Sequence, residues 1–359
     1  MKLAVLGVGL IGGSIGLAAK ERGSGATVVG FDPSSDALRA AVERGAVDHA
    51  AGSVAEAVAG TDAVFACAPV GALPALVADA LAAAGDDTVV SDVGSTKRQL
   101  AASIDDPRFI GGHPVAGSES AGVGSARGDL FDGAAWYLTP TERSGGLLYE
   151  RLHGLLVDFG AQPVAIDAET HDRVLAAVSH LPHVLANVLV SQAARRLTQD
   201  DERLPRVGPS FRDMTRVAGA NPGIWTDIYL SNGQAIADEI DAAVHVLNQV
   251  SLWLRGDAGE AIEAWSETAR GDRRRLLEAD LAGGVVCELT VTVPNRPGIV
   301  AQVALALGRA GVNITDMSLA PAPDNRSGAM TLWVAGQDDA DRATKLIADL
   351  GYPVASASS

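Results

Sequence analysis

Residues 2–14 read Lys2-Leu3-Ala4-Val5-Leu6-Gly7-Val8-Gly9-Leu10-Ile11-Gly12-Gly13-Ser14. A short apolar run meets glycines at G-x-G-x-x-G spacing, the pattern of a strand turning tightly into a helix. Gly7 permits the turn, Gly9 lets a pyrophosphate approach the backbone, and Gly12 allows helix and strand to pack closely. The helix start, at Leu10 and Ile11, offers free N–H groups and a positive dipole end to phosphates. Asp32 lies twenty residues after Gly12, at the end of the next apolar run. A carboxylate there accepts hydrogen bonds from a ribose and repels a 2'-phosphate, which favours NAD over NADP. Ser34, Ser35 and Arg39 lie close by and weaken that preference. The uncharged run 3–19 also has the outline of a signal peptide or membrane span. Glycines at 7, 9, 12, 13 and 16 argue against both, because glycine is a poor helix former.

Outward from this motif, residues 27–31, 62–66 and 88–91 are further continuous apolar runs, as strands covered on both faces require. Helical segments at 34–44 and 73–84 lie between them, and later strands are expected at 109–111, 135–138 and 162–166. This alternation predicts an α/β fold with a Rossmann-type doubly wound parallel sheet over residues 1–166. Ligands of such sheets bind beyond the carboxyl ends of the strands, so Ala68, Pro69, Val70 and Gly94 are expected to face the cofactor. Cys67, beside them, reads as a small buried apolar residue.

Residues 167–282 carry apolar positions at three- and four-residue spacing, which predicts an all-helical second domain. Residues 283–359 follow a Gly283-Gly284 break and run in the order βαββαβ, a ferredoxin-like small domain.

The chain has 359 residues, 47% of them hydrophobic, so it carries enough apolar surface for large cores. Asp and Glu number 44 against 28 Lys and Arg, a net charge of -16. That surface repels phosphate backbones and anionic lipid, so neither nucleic-acid nor membrane binding is expected. Beyond residue 19, no stretch is expected to reach the length of a membrane span. The two cysteines, Cys67 and Cys287, make neither a disulfide framework nor a thiolate metal site, which fits a cytoplasmic setting.

The chemistry-bearing stretches come next. Residues 111–119 read Gly-Gly-His-Pro-Val-Ala-Gly-Ser-Glu, with His113 among small residues that let a substrate come close. An imidazole suits general-base work near neutral pH, yet the residues alone leave a structural loop histidine equally open. His180 and His183, three apart on a helix, read as anion or hydroxyl binders, as a metal pair without a third ligand, or as neighbours of a Pro182 kink. Arg212 and Arg216 lie in a polar loop, where a guanidinium fork can clamp a carboxylate or simply face solvent. His49, His153, His171 and His245 are isolated and are assigned no chemistry.

Residues 7–14, 92–97, 111–119, 179–183 and 211–216 together resemble the prephenate dehydrogenase and arogenate dehydrogenase family, in the family's order. Residues 294–299 and 311–314 resemble an ACT regulatory domain. The resemblance implies NAD-dependent oxidative decarboxylation of prephenate to 4-hydroxyphenylpyruvate and CO2 in tyrosine biosynthesis, without a metal. Arogenate is the alternative substrate. His113 matches the catalytic histidine, and Ser95 a residue near the same substrate hydroxyl. Arg216 matches the substrate-carboxylate arginine. His183, Ser118, Glu119 and Trp225 match further pocket positions. The helical domain implies a homodimer built on residues 233–280. The ACT-like tail implies a tyrosine or phenylalanine effector near Gly298, Asn313 and Ile314. Two rivals fit less well. A β-hydroxyacid dehydrogenase should carry a catalytic lysine in its helical domain, and none stands out. A non-catalytic NAD- and amino-acid-sensing regulator has no need of His113, Ser95 and Arg216.

Overall fold

The computed structural model describes residues 1–22, 25–117, 121–197, 207–278, 286–322 and 327–356. Strands β1 (Lys2–Leu6), β2 (Thr27–Phe31), β3 (His49–Ala50), β4 (Ala63–Ala66) and β5 (Val89–Asp92) form a parallel sheet in the order β3-β2-β1-β4-β5. Strands β4 and β5 are buried throughout, as is β1 after Lys2, which explains their unbroken apolar character. Strand order reverses between β1 and β4, the switch point where such sheets take their ligands.

The later strands expected near residues 109–111, 135–138 and 162–166 do not extend this sheet. Strands β6 (Gly111–Pro114), β7 (Ala135–Thr139) and β8 (Gln162–Ala165) form a separate sheet, with β6 antiparallel to β7 and β7 parallel to β8. A lone bridge, Val90↔Phe109, joins β5 to the residues before β6. Among the described residues, only the short turn Val123–Ser125 lies between β6 and β7, too little for the crossover that a parallel pair needs. The helix Gly146–Asp158 supplies such a crossover between β7 and β8.

Strands β9 (Val286–Pro294), β10 (Ile314–Pro321), β11 (Ser327–Ala335) and β12 (Val354–Ser356) form an antiparallel sheet in the order β10-β11-β9-β12. With helices Ile299–Arg309 and Gln337–Asp349 this is the expected βαββαβ domain. Met330, Leu332 and Val334 alternate inward along β11, as a sheet with one buried face requires. This domain shares one compact unit with residues 1–172 and 219–231. Its first helix lies so close to β8 that a Cβ at Gly308 would overlap the Ala165 carbonyl.

His153, on the helix Gly146–Asp158, is 1% exposed and faces Asp316 at the start of β10. Burial pushes its pKa down to about 4, against the opposing pull of the Asp316 carboxylate. The folded value lies below the unfolded one, so the fold holds a neutral ring. The contribution is present above the unfolded pKa of about 6.5 and is lost as pH falls toward 4, a change of about 3 kcal/mol. His153→Leu should therefore flatten the fall of the urea midpoint between pH 7 and pH 5. An equally steep fall in the variant would show that His153 does not set it.

The second unit comprises Arg173–Ala218 and Asn232–Val285. Its helices include Leu181–Leu197, Pro209–Thr215, Gly233–Arg255 and Gly259–Glu278. The expectation that nothing past residue 19 reaches spanning length is corrected. The helix Ala168–Arg196, with a mean hydropathy of 1.6 over its most apolar window, is long and apolar enough to cross a membrane by length and composition. Core helices of soluble proteins pass the same test. A π-type turn, Ala176–His180, interrupts it ahead of Pro182. Such turns often sit at functional sites.

Candidate active site

The glycine motif adopts the geometry expected of it. Gly7 has φ +101°, in the left-handed region, and its N–H donates to the Phe31 carbonyl at 2.7 Å. A Cβ at Gly12 would overlap the Gly7 carbonyl, whereas at Gly9 it would meet nothing within 4 Å. Gly9 thus leaves open space at the N-terminus of the helix Leu10–Glu21, where no side chain caps the first N–H groups. This cradle fits a dinucleotide pyrophosphate. Asp32 accepts the Val8 N–H at 3.0 Å and the Ser34 N–H at 2.8 Å, so its carboxylate is anchored on the loop that it borders. Ala68, Pro69 and Val70 follow β4 at the same sheet end.

Beyond β5, Asp92 organises the next layer. One carboxylate oxygen accepts the Gly94 N–H at 2.8 Å and pairs with the Lys97 ammonium; the other accepts the Gly112 N–H at 3.1 Å. Lys97 and Asp92 are both buried, and burial pushes the lysine pKa below its usual range against the pull of the carboxylate. The loop bearing Ser95 is thereby fixed to the strand bearing His113. Gly111 and Gly112 serve this packing. A Cβ at Gly112 would crowd the Asp92 carbonyl at 2.7 Å and Ser91 Oγ at 2.8 Å, and one at Gly111 would overlap Thr139 Oγ1. The sequence reading attributed their small size to substrate access; close strand packing accounts for it.

His113 is 8% exposed, and its Nδ1 lies 2.9 Å from Nε2 of His171. His171 Nδ1 in turn lies 2.8 Å from Asp172 Oδ1. Asp172 also accepts the Lys97 N–H at 2.7 Å and the Arg98 N–H at 3.0 Å. Burial raises the Asp172 pKa, but His171 and these two amides hold it below the usual carboxylate range. Burial also lowers the His171 pKa, so its ring is neutral at neutral pH, while Asp172 opposes. The tautomers follow. Asp172 only accepts, so His171 Nδ1 donates to it and Nε2 accepts from His113 Nδ1–H. His113 Nε2 is then the unprotonated, accepting nitrogen of its ring. His171, assigned no chemistry from sequence, is therefore the partner of His113. Only the helix beginning at Ala168 brings it there. The adjacent His171-Asp172 pair was the one available signal.

The helix Pro222–Ser231, which carries Trp225, packs on the Val70–Ala72 turn, and Ser231 Oγ lies 3.0 Å from Thr96 Oγ1, next to Ser95. Trp225 stacks at a tilt on Tyr229, with ring centroids 5.7 Å apart. In the second unit His183 is buried, its Nδ1 lies 3.2 Å from Asn187 Nδ2, and burial lowers its pKa against a hydrogen bond with the Val217 backbone. His180 Nδ1 lies 3.2 Å from Asn232 Nδ2. The two histidines thus have different partners. Arg216 is exposed and begins the turn Arg216–Gly219. Ser118 and Glu119 lie outside the described residues.

A glycine cradle at the switch point of a parallel sheet, with a buried histidine pair beyond β5, fits an NAD-dependent oxidoreductase. Family models agree in detail. Residues 15–165 match the prephenate dehydrogenase nucleotide-binding domain, 167–268 its dimerization domain, and 288–352 the ACT domain. The prephenate dehydrogenase of Bacillus subtilis is 31% identical, over 96% of this chain and 95% of its own length. The Aquifex aeolicus prephenate dehydrogenase, solved with hydroxyphenyl propionate and NAD+, is 27% identical over 77% of this chain and 98% of its own, with a TM-score of 0.72. Synechocystis arogenate dehydrogenase is 26% identical over 77% of this chain and all of its own, with a TM-score of 0.66. The chain belongs to the prephenate dehydrogenase family, the NAD-dependent oxidoreductases of tyrosine biosynthesis, and carries an ACT domain.

Proposed function

We propose that His113 is the proton acceptor in oxidation and decarboxylation of prephenate, with Ser95 beside the same hydroxyl. The Asp172–His171–His113 relay carries this reading, because it leaves His113 Nε2 as an acceptor. Gly7, Gly9 and Gly12 would cradle the NAD pyrophosphate and Asp32 its ribose, and the bound cofactor would accept the hydride that leaves the hydroxyl-bearing ring carbon. His113 Nε2 takes the hydrogen bond of the ring hydroxyl as that carbon is oxidised. The electron pair of the ring–carboxylate bond enters the ring as CO2 leaves, and aromatisation makes the step downhill. The family resemblance assigns a substrate carboxylate to Arg216 and further substrate contacts to His183, Trp225, Ser118 and Glu119.

The working domain ranges are 1–166, 167–282 and 283–359. The middle one forms a homodimer. Support comes from exposed Val244, Leu247, Leu252 and Leu254 on the helix Gly233–Arg255, together with the match to a dimerization domain. Two free cysteines suit a cytoplasmic enzyme. The ACT domain takes tyrosine or phenylalanine as effector.

Initial rates of NADH formation with prephenate and with arogenate test the substrate reading; the expected result is a higher kcat/KM for prephenate. Arg216→Ala should raise the prephenate KM roughly 10–100-fold, the value of a lost charged hydrogen bond, with less effect on kcat. An unchanged KM would remove Arg216 from the clamp, and faster turnover of arogenate would reverse the substrate assignment.

A further inference from the structure

The first helix of the ACT domain, Ile299–Arg309, meets the rest of its compact unit at both ends. At its start, Gly298 is buried with φ +79°; a Cβ there would overlap the Glu142 carbonyl, and its N–H donates to the Ser144 carbonyl at 3.2 Å. At its end, Gly308 lies against the Ala165 carbonyl, where a Cβ has no room, and Arg309 Nε donates to Asp167 Oδ2 at 3.1 Å. This second contact falls on the junction between β8 and the helix that carries His171 and Asp172.

Asp167 caps that helix. Its Oδ1 accepts the Thr170 N–H at 2.9 Å, and its backbone carbonyl accepts the His171 N–H at 2.8 Å. Burial raises its pKa, but Thr170 and Arg309 hold it below the usual carboxylate range, so the cap is charged at neutral pH. One carboxylate therefore joins the ACT domain to the helical turn that holds His171. The same turn is tied from its other side, where Asp172 accepts the Lys97 and Arg98 amides next to the Ser95 loop. His171 Nε2 then lies 2.9 Å from His113 Nδ1. A contact of that kind weakens steeply as distance and angle drift.

We propose that Arg309 of the ACT domain and the Asp167 cap are positioning residues for His113, acting through the helical turn that holds His171. The proposal rests on the reading of His113 as proton acceptor. The pair does little for the fold itself: the Arg309 side chain is 60% exposed, and ion pairs at the surface add little stability. Its place is what gives it effect, because it bears on the residue from which the His171 turn is hung. A shift of the ACT domain along this seam moves Asp167, turns the His171 ring and disturbs the base, with no contact to substrate or cofactor. The ACT domain thereby contributes to the catalytic geometry through the far end of its helix from Gly298.

Steady-state NADH formation by the full-length protein, with prephenate and NAD varied in turn, tests this. Arg309→Ala should lower kcat about threefold, within the roughly fivefold that an exposed pair can contribute, and leave both KM values as they are. Arg309→Lys, which keeps a cation within reach of Asp167, should retain the wild-type kcat. Asp167→Asn keeps the cap, since asparagine caps as well as aspartate, but loses the charge. It should lower kcat similarly, and the double variant should fall no further than the lower single one, as coupled residues require. Arg342→Ala, which breaks an ion pair with Asp339 on the second ACT helix, should leave kcat unchanged. If His113→Asn turns over as wild type does, the proton-acceptor reading falls and the proposal with it. If His113→Asn is impaired while Arg309→Ala keeps the wild-type kcat, that reading stands and the ACT link is wrong. Additive losses in the double variant, or a loss that falls on KM, would equally overturn the link.

Discussion

Replacement of His113 by asparagine lowers kcat for prephenate by roughly 10²–10⁴-fold, with little change in KM. The asparagine retains a polar group in the strand but has no basic nitrogen at the Nε2 position. On the roles proposed above, the loss falls on the step in which the hydroxyl proton is drawn away, and the carboxylate contact proposed for Arg216 is left intact. Steady-state rates of NADH formation measure it. A kcat within a few-fold of wild type would remove His113 from the chemistry, whatever its surroundings.

Asp172→Asn should come close to the same loss, roughly 10²-fold or more in kcat, although Asp172 is buried and acts through His171. The carboxylate can only accept, and that property propagates through His171 to leave Nε2 of His113 unprotonated. An amide can present its NH2 to His171 Nδ1, which reverses both tautomers and blocks the base. Asp172 and His171 are positioning residues, so their test needs a readout beyond lost activity. At low pH His171 takes up a proton and can no longer accept from His113, so activity falls. Burial holds the His171 pKa down while Asp172 opposes. Removal of that negative charge should therefore move the acid limb of the kcat profile to lower pH, even as the plateau drops. The sign for stability is the same: a histidine whose folded pKa is depressed favours the fold above its unfolded pKa and loses that contribution on acidification. A variant that melts earlier but keeps the wild-type acid limb would show that Asp172 only ties the Lys97 and Arg98 amides in place.

The dinucleotide cradle was legible in the sequence because its requirements are local. Gly7, Gly9 and Gly12 act within one turn, and Asp32 ends the neighbouring strand that β1 pairs with directly. The βαββαβ order of the tail was legible for a similar reason, since period-2 and period-3.6 patterns report burial within single elements. The course of β6 was not legible. A strand's direction depends on the length and kind of connection that follows, and the described residues between 115 and 134 carry too little helix to cross over.

His171 was passed over because nothing within a few residues of it, apart from Asp172, marks it as functional. Its role arises where a helix start meets two strand ends that lie far apart in the chain. Likewise the Gly298 turn announces a glycine-dependent conformation, but which surface covers it depends on domain docking. Composition and short-range pattern thus determined the elements, the cofactor cradle and the family of chemistry. Tertiary structure decided which imidazole stands against His113 and which part of the chain covers the Gly298 turn. Hydrogen-bond direction and charge complementarity between distant segments exist only once the chain has folded.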